Sequence, residues 1–399
     1  MKIIQIHNYY NTRGGECRVV EAEAELLSQH GHTIVPFNRD SQHIGDMSLP
    51  NKVMTYLRIP YNKKIYRELI TFIKYHQPDI AHVHNVFPMM SASVYVALKQ
   101  CGLPIVQTLH NFRFLCPNGK FFVKRRICED CQSKGFFSAV IKGCVRDNCL
   151  TSALYAAAIA RAWRSGNFPN NIDQYIALNH FVEKKMIDGG VPANKISICG
   201  NFIASETLSI ADKKSYILYI GRLSPEKGIF TLLQAVSSLK GVTLKIAGTG
   251  PDEKYLQQHP HAQHRSHVEF IGHVSGQNKQ RLIAEAICTI IPSECYENFP
   301  MTALESLSLG TPVIASSIGG LPDIIKHGVT GLLFEPGNHQ QLAKCIQSLI
   351  DNPNQLTAMA KQAITVTASQ FSPEKHYQQL MKIYQAASQE NTSPTNLEM

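Results

Sequence analysis

At 399 residues, the chain exceeds one ordinary core and suits two domains of roughly 200 residues each. A hydrophobic fraction of 44% with 17% charged residues excludes disordered and fibrous classes. The net charge of +9 is unevenly spread, so any anionic partner has to be sought segment by segment.

Met1 to His7 (Met-Lys-Ile-Ile-Gln-Ile-His) reads as a strand, since its apolar run is too short for a secretion signal and passes straight into polar residues. A cytoplasmic protein is expected. Gly14-Gly15 then precede a helical pattern from Arg18 to Gln29, and glycine there lets backbone amides approach a ligand closely. The dinucleotide fingerprint G-x-G-x-x-G is missing. Lys52 to Lys74 concentrates Lys52, Arg58, Lys63, Lys64, Arg67 and Lys74 against Glu68, interleaved with Tyr56, Ile59, Tyr66, Leu69, Ile70 and Ile73. Inward packing of the apolar set would leave the cations facing anionic lipid headgroups, or simply water. Nucleic acid is not expected, because no helix-turn-helix, zinc-finger or RNA-binding signature accompanies the charge.

Short apolar runs alternate with helical patterns: Lys2 to His7, His32 to Phe37, Asp79 to His84, Pro104 to His110, Gln174 to Leu178 and Ile196 to Cys199. A second set covers Tyr216 to Ile220, Val242 to Ala247, Val268 to Ile271, Cys288 to Ile291 and Pro312 to Ala315. Such alternation is the signature of parallel sheets. On Ala81-His-Val-His-Asn85 the two histidines are read as facing opposite sides, with His84 favoured for a cleft. After His110 comes a stretch, residues 112–150, without clear strand or helix patterning. It holds Cys116, Cys128, Cys131, Cys144 and Cys149. Reduced thiols with Cys-x-x-Cys spacing suit a structural zinc on Cys116, Cys128, Cys131 and Cys144, with Cys149 as substitute; free thiols in a loop are the alternative. The longest helical apolar stretch, Ala153 to Ala160, is stopped by Arg161 and Arg164, far short of the roughly 20 residues of a membrane span.

Gly200 to Lys214 reads as a linker, with the boundary near 204. Tyr219-Ile-Gly221-Arg222-Leu-Ser-Pro-Glu-Lys227-Gly228 is strand, loop and helix start, with two cations at the strand's end. Gly248-Thr-Gly250-Pro251 and Gly272-His273-Val274 end two further strands. In Ser293-Glu-Cys-Tyr-Glu297-Asn298-Phe299-Pro300-Met-Thr-Ala-Leu-Glu305, the strand stops before the first glutamate, Pro300 fits the first helical position, and Gly310 and Pro312 end the helix. Free amides of that helix start make an anion site flanked by two carboxylates, although Glu near a helix start is also favoured by the dipole alone. A Gly319-Gly320 turn follows the next strand.

Taken together, Gly14-Gly15, His110, Arg222 with Lys227, Glu297 with Glu305, and Gly319-Gly320 resemble the retaining glycosyltransferases of family 4, over most of the chain. The resemblance implies a GT-B fold, two Rossmann-like α/β domains facing a central cleft: residues 1–203 for the acceptor, 204–372 for the donor, a helix at 373–388 crossing back to the first domain, and a disordered tail at 389–399. It implies a nucleotide-sugar donor and a glycan or lipid-linked acceptor in bacterial surface polysaccharide synthesis; the expected place is the cytoplasm, with the Lys52 to Lys74 cations offering a peripheral seat on the inner face of the cytoplasmic membrane as an option. Arg222 and Lys227 would hold the donor phosphates, Glu305 the ribose and Glu297 the sugar hydroxyls. Gly15, Gly221, Gly248, Gly272, Val274, Asn298 and Phe299 would line the donor. His110 would sit beside the transferred sugar, orienting a hydroxyl or supporting developing positive charge through its carbonyl, with Gly14 and His84 on the acceptor side. No cofactor is expected for catalysis, since no Asp-X-Asp motif bridges a metal to the diphosphate, and no candidate nucleophile is evident. A GT-B epimerase or phosphorylase and a silent sugar-nucleotide binding protein are the alternatives. A phosphorylase needs lysine-bound pyridoxal phosphate, for which no motif is seen, and a silent protein would be expected to lose some of Arg222, Lys227, Glu297 and Glu305.

Overall fold

The structure is a computed structural model that describes residues 1–11, 14–204, 210–260 and 267–392, with side chains described up to residue 389. The chain divides into two compact units. The first comprises Met1–Val123, Cys128–Gly200 and the C-terminal helix from His376 on; the second comprises Lys124–Ile127 and Asn201–Lys375. Part of the expected linker, residues 205–209, lies outside the described residues.

The first unit is built on a sheet of β1 (Lys2–Tyr9), β2 (Thr33–Asp40), β3 (Ile80–Val83), β4 (Ile105–Thr108), β7 (Gln174–Ala177) and β8 (Ile196–Ile198), in the order β2-β1-β3-β4-β7-β8. The second has β9 (Tyr216–Ile220), β10 (Thr243–Ala247), β11 (Val268–Gly272), β12 (Thr289–Ile291), β13 (Val313–Ser316) and β14 (Gly331–Phe334), in the order β11-β10-β9-β12-β13-β14. Every resolved pairing in both sheets is parallel. Parallel strands are covered on both faces by crossover helices, which is why their residues run apolar without alternation. Ile3, Ile4, Ile6, Ile80 and Val83 in the first unit, and Ile217, Leu218, Leu244, Ile246 and Ile314 in the second, are fully buried. Each such side chain contributes about 1.5–3 kcal/mol by leaving water. The α/β class and both strand sets are as the sequence leads one to expect; β14 was not anticipated, because Gly-Leu-Leu-Phe is too short to show a period.

Both strand orders reverse once, between β1 and β3 and between β9 and β12. There the connections after neighbouring strands depart to opposite sides and leave a crevice at the strands' carboxyl ends. The unpatterned stretch 112–150 contains β5 (Phe122–Val123), β6 (Arg126–Ile127) and helices Asp130–Lys134 and Phe137–Ile141, pieces of two to five residues that no hydrophobic period can announce. The C-terminal helix, Pro373–Thr392, buries Leu380, Ile383, Tyr384 and Ala387. It thus continues through the start of the expected tail; residues 393–399 lie outside the described residues.

Gly331 opens β14 against β13, and a Cβ there would stand 1.9 Å from the carbonyl oxygen of Val313. Gly14 has open space and an ordinary φ of −115°. Gly331→Ala should therefore destabilise by at least about 1–3 kcal/mol, while Gly14→Ala should stay within about 0.5 kcal/mol. Urea unfolding midpoints compare the two.

Candidate active site

In the second unit, the loops after β9 and β12 are pressed together at the reversal of strand order. Gly228 adopts φ +65°, and a Cβ on it would lie 1.8 Å from the carbonyl oxygen of Pro292. Only glycine permits that approach. It brings Lys227 to Glu297: Nζ donates to Oε1 at 2.5 Å, and Ser293 Oγ donates to the same oxygen. Burial alone would pull the Lys227 ammonium down, but the Glu297 carboxylate, with Cys295 and Tyr219, holds it well above the ordinary lysine range. A partly buried pair of this kind is retained as a charged unit, because removing one partner strands the other.

The neighbouring loops close on the same point. Gly319, at φ +60°, leaves no room for a Cβ, which would sit 2.4 Å from the Glu297 carbonyl oxygen, and Gly320 N donates to that oxygen at 2.8 Å. At Gly248 a Cβ would stand 1.9 Å from the Gly221 carbonyl oxygen, while Gly248 N donates to Gly272 O at 2.7 Å. Gly221, Lys227, Gly248, Gly272 and Glu297 therefore belong to one loop cluster. Arg222 is exposed at its edge, with its carbonyl held by the Tyr219 hydroxyl at 2.8 Å. Pro300 stands one position before the helix Met301–Ser308, whose fifth residue, Glu305, pairs with Lys279 of the preceding helix. Val274 and Asn298 are half-buried, whereas Phe299 is buried with its ring edge-on to Phe371 at 5.8 Å. Sequence reasoning missed Glu294, whose Oε1 accepts from Thr231 Oγ1 at 2.6 Å, and Lys279; neither has a local signal.

In the first unit, Gly14 and Gly15 start the helix Gly15–Gln29 after β1. The third residue of the Gly-Gly-Glu run, Glu16, accepts from the Tyr10 hydroxyl at 3.1 Å, and Asn111 Nδ2 donates to that hydroxyl at 3.2 Å. Burial pushes the Glu16 carboxyl up to about 7, against the opposing pull of Tyr10, Arg113 and Asn111. One helical stretch further on, Glu23 is buried among three histidines. His82 Nδ1 lies 2.9 Å and His84 Nε2 3.4 Å from Oε1, and His376 Nε2 lies 3.2 Å from Oε2. The expectation for His82 and His84 is corrected here. Residues i and i+2 of a strand share a face, and the two rings lie with centroids 4.2 Å apart. His84 Nδ1 in turn meets His110 Nε2 at 3.0 Å. Burial, then the neighbouring His82, pushes His84 down to about 4; burial and His84 hold His110 well below the usual range. His110 lines a recess with His84, Gln107, Asn111, Arg113 and Phe114. Glu16 and Glu23 were missed as functional candidates because a single glutamate in an amphipathic helix looks like a solvated one.

Cys116 and Cys131 are buried. Burial, together with the nearby thiols of Cys116, Cys144 and Cys128, pushes Cys131 up to about 12. Cys116 Sγ donates to Asn118 Oδ1 at 3.1 Å, and Lys142 Nζ stands 3.0 Å from Cys128 Sγ. Cys149 is exposed at a helix start. Among the described residues, three metal-type donor atoms fall within 4.8 Å of one another at Glu23, His82 and His84, and not in the cysteine group.

Comparison with known families places this geometry. Residues 13–207 match the model described as Glycosyltransferase Family 4, and residues 202–366 match Glycosyl transferases group 1. The chain belongs to glycosyltransferase family 4. An uncharacterized glycosyltransferase of Methanocaldococcus jannaschii is 38% identical over 141 residues, 34% of this chain and 36% of that protein. The chain thus matches little more than a third of that curated relative's length. Among solved structures, Anabaena HepE in complex with UDP superposes with TM-score 0.67 at 18% identity, covering 97% of this chain and 100% of that one. The apo form of WaaB, a lipopolysaccharide outer core galactosyltransferase, gives 0.68 at 20%, covering 96% and 99%. These likenesses establish the GT-B fold of this family 4 chain.

The raised Glu16 carboxyl has a consequence for stability. Its folded pKa of about 7 exceeds the unfolded value of 4.5, so the folded state holds a proton that the unfolded state releases. Its contribution is intact below the unfolded pKa and is lost as pH rises through 7. Between pH 5 and 8 the wild type should lose on the order of 2–3 kcal/mol relative to Glu16→Gln. Urea titrations of both proteins at the two pH values test this.

Proposed function

We propose that the chain moves a sugar from a nucleotide-sugar donor to a glycan or lipid-linked oligosaccharide acceptor, with retention of configuration, in the assembly of a bacterial surface polysaccharide. The observation that carries the reading is the Lys227–Glu297 pair at the β9/β12 reversal, with Arg222 exposed at its edge. HepE, of the same fold, has been crystallised with UDP-glucose, and WaaB, also of this fold, is a lipopolysaccharide outer core galactosyltransferase. In this reading a diphosphate leaving group gathers charge as the glycosidic bond breaks, and preorganised cations stabilise that charge most where water is excluded. Arg222 offers a two-pronged grip and Lys227 a compact charge. Glu297, held by Ser293 and Lys227, presents a fixed carboxylate to sugar hydroxyls, and Glu305, in the second turn of the helix Met301–Ser308, serves the ribose. The acceptor hydroxyl attacks from the face the phosphate leaves, passing its proton to that phosphate. The chain's part is to bind, orient and shield.

The membrane reading is part of the same proposal. Arg58, Lys63, Lys64, Arg67 and Lys74 are exposed while Ile59, Leu69 and Ile73 are buried. The adjoining helix Leu49–Leu57 buries none of its residues and exposes Leu49, Val53, Met54 and Leu57. Apolar groups beside cations suit a surface of anionic lipid. Among the described residues no helix is long and apolar enough to cross a membrane. A structural zinc on Cys116, Cys128, Cys131 and Cys144 is likewise proposed; with Zn–S bonds of about 2.3 Å it requires the four sulfurs to draw closer than they stand. Zinc well below one equivalent in protein purified without a metal-affinity tag contradicts it.

Glu297→Ala and Arg222→Ala should each lower transfer by at least about 100-fold, the scale of one lost transition-state contact, with the unfolding midpoint near wild type in Arg222→Ala and lowered in Glu297→Ala, where the Lys227 ammonium is left without its partner. Wild-type turnover in either variant refutes the assigned roles. Reversing Lys63 and Lys64 to Glu should weaken sedimentation with anionic vesicles, with about 1 kcal/mol per charge at stake; unchanged sedimentation removes the membrane role.

A further inference from the structure

The buried Glu23 cluster fixes protons as well as side chains. Its carboxylate is held well below the usual carboxylate range: burial opposes ionisation, but His82 and His376 outweigh it. His376 is pushed up to about 10, since Cys199 and Glu23 overcome its burial. It is therefore an imidazolium, with Nδ1 donating to the Gly200 carbonyl at 2.9 Å and Nε2 to Glu23 Oε2 at 3.2 Å. Glu23 Oε1, buried and without a well-aligned hydrogen bond, faces His84 Nε2 at 3.4 Å. A bare ring nitrogen there would set a lone pair against an anion, so His84 carries its proton on Nε2. Being neutral, it leaves Nδ1 as an acceptor. At 3.0 Å from that nitrogen, His110 Nε2 must then be the donor, which leaves His110 Nδ1 bare. The partner of one ring nitrogen sets the state of the other.

We propose that Glu23, anchored by His376 of the C-terminal helix, is a positioning residue that acts through His84 to lock His110 in its Nε2-protonated tautomer, presenting Nδ1 as an acceptor for a substrate hydroxyl. Among the described residues, no protein hydrogen bond engages His110 Nδ1. It belongs to the recess lined by Gln107, Asn111 and Arg113. His82, the remaining ring on Glu23, is held by the Tyr384 hydroxyl at 2.7 Å and Thr108 Oγ1 at 2.7 Å, so the C-terminal helix braces the cluster at two points.

The tautomer is read by nitrogen-15 NMR of histidine-labelled protein, with the His110 signals assigned by their loss in His110→Asn. This arm needs no substrate and stands apart from the transfer reading, on which the kinetic arm rests. In the wild type near pH 7, His110 should show a protonated Nε2 and a bare Nδ1. In Glu23→Gln that preference should collapse, and kcat should fall about 10- to 100-fold, the scale of a lost supporting contact, with donor KM within about twofold. Glu23→Leu, which fills the same space without charge, should repeat the loss. A wild-type His110 protonated on Nδ1 overturns the proposal, as does a metal ion bound stoichiometrically and lost in Glu23→Gln, since a metal would occupy the nitrogen that His84 needs for its proton. If His110→Asn keeps full turnover, the functional role fails even where the wild-type tautomer is as assigned.

Discussion

The reversal of strand order is the constraint from which both candidate sites follow. In a parallel sheet, adjacent strands end on the same edge, and only where successive connections depart to opposite sides does that edge stay uncovered. Between β9 and β12 this brings two loops together, with Gly228 against Pro292 leaving no room for a Cβ, and the flanking loops after β10 and β13 close on them just as tightly at Gly248 and Gly319. The result is a dense backbone setting in which Lys227 and Glu297 have little freedom. Preorganisation of that kind is what electrostatic stabilisation of a leaving group requires.

The first unit solves a harder problem at its own reversal. Glu23 occupies a helix position that faces the sheet, where an apolar side chain would otherwise serve. An unpaired carboxylate there would cost several kcal/mol. Its partners come from distant parts of the chain: His82 and His84 from β3, His376 from the C-terminal helix. That helix is thus tied to the first unit by an ion pair as well as by Leu380, Ile383 and Ala387. The arrangement makes the C-terminal helix part of the surroundings of His110, about 270 positions upstream in sequence.

Much of this was legible in the residues. Buried parallel strands announce themselves as continuous apolar runs, and Gly-Gly, Pro300 and Gly310 mark the turns and helix ends where loops carry chemistry. Lys227 and Glu297 were each assigned to the donor side from separate motifs, and the fold sets them side by side. What was not legible depends on partners far away in the chain. Glu16 and Glu23 look like ordinary helix-surface acids until the elements facing them are known. The reading of His82 and His84 failed for a local reason, the two-residue period of a strand, and the short helices near Cys131 were too brief to show any period.

The account stands most directly on whether the β9/β12 loops of the second unit bind a nucleoside diphosphate. Calorimetric titration of the wild type, Arg222→Ala and Glu23→Gln with UDP and the other nucleoside diphosphates measures this without knowledge of the acceptor. The account predicts one site per chain for at least one of them, weakened about tenfold or more in Arg222→Ala, as expected for loss of a charge-assisted phosphate contact, and unchanged in Glu23→Gln. Absence of binding for every nucleoside diphosphate, or equal affinity in wild type and Arg222→Ala, would contradict it.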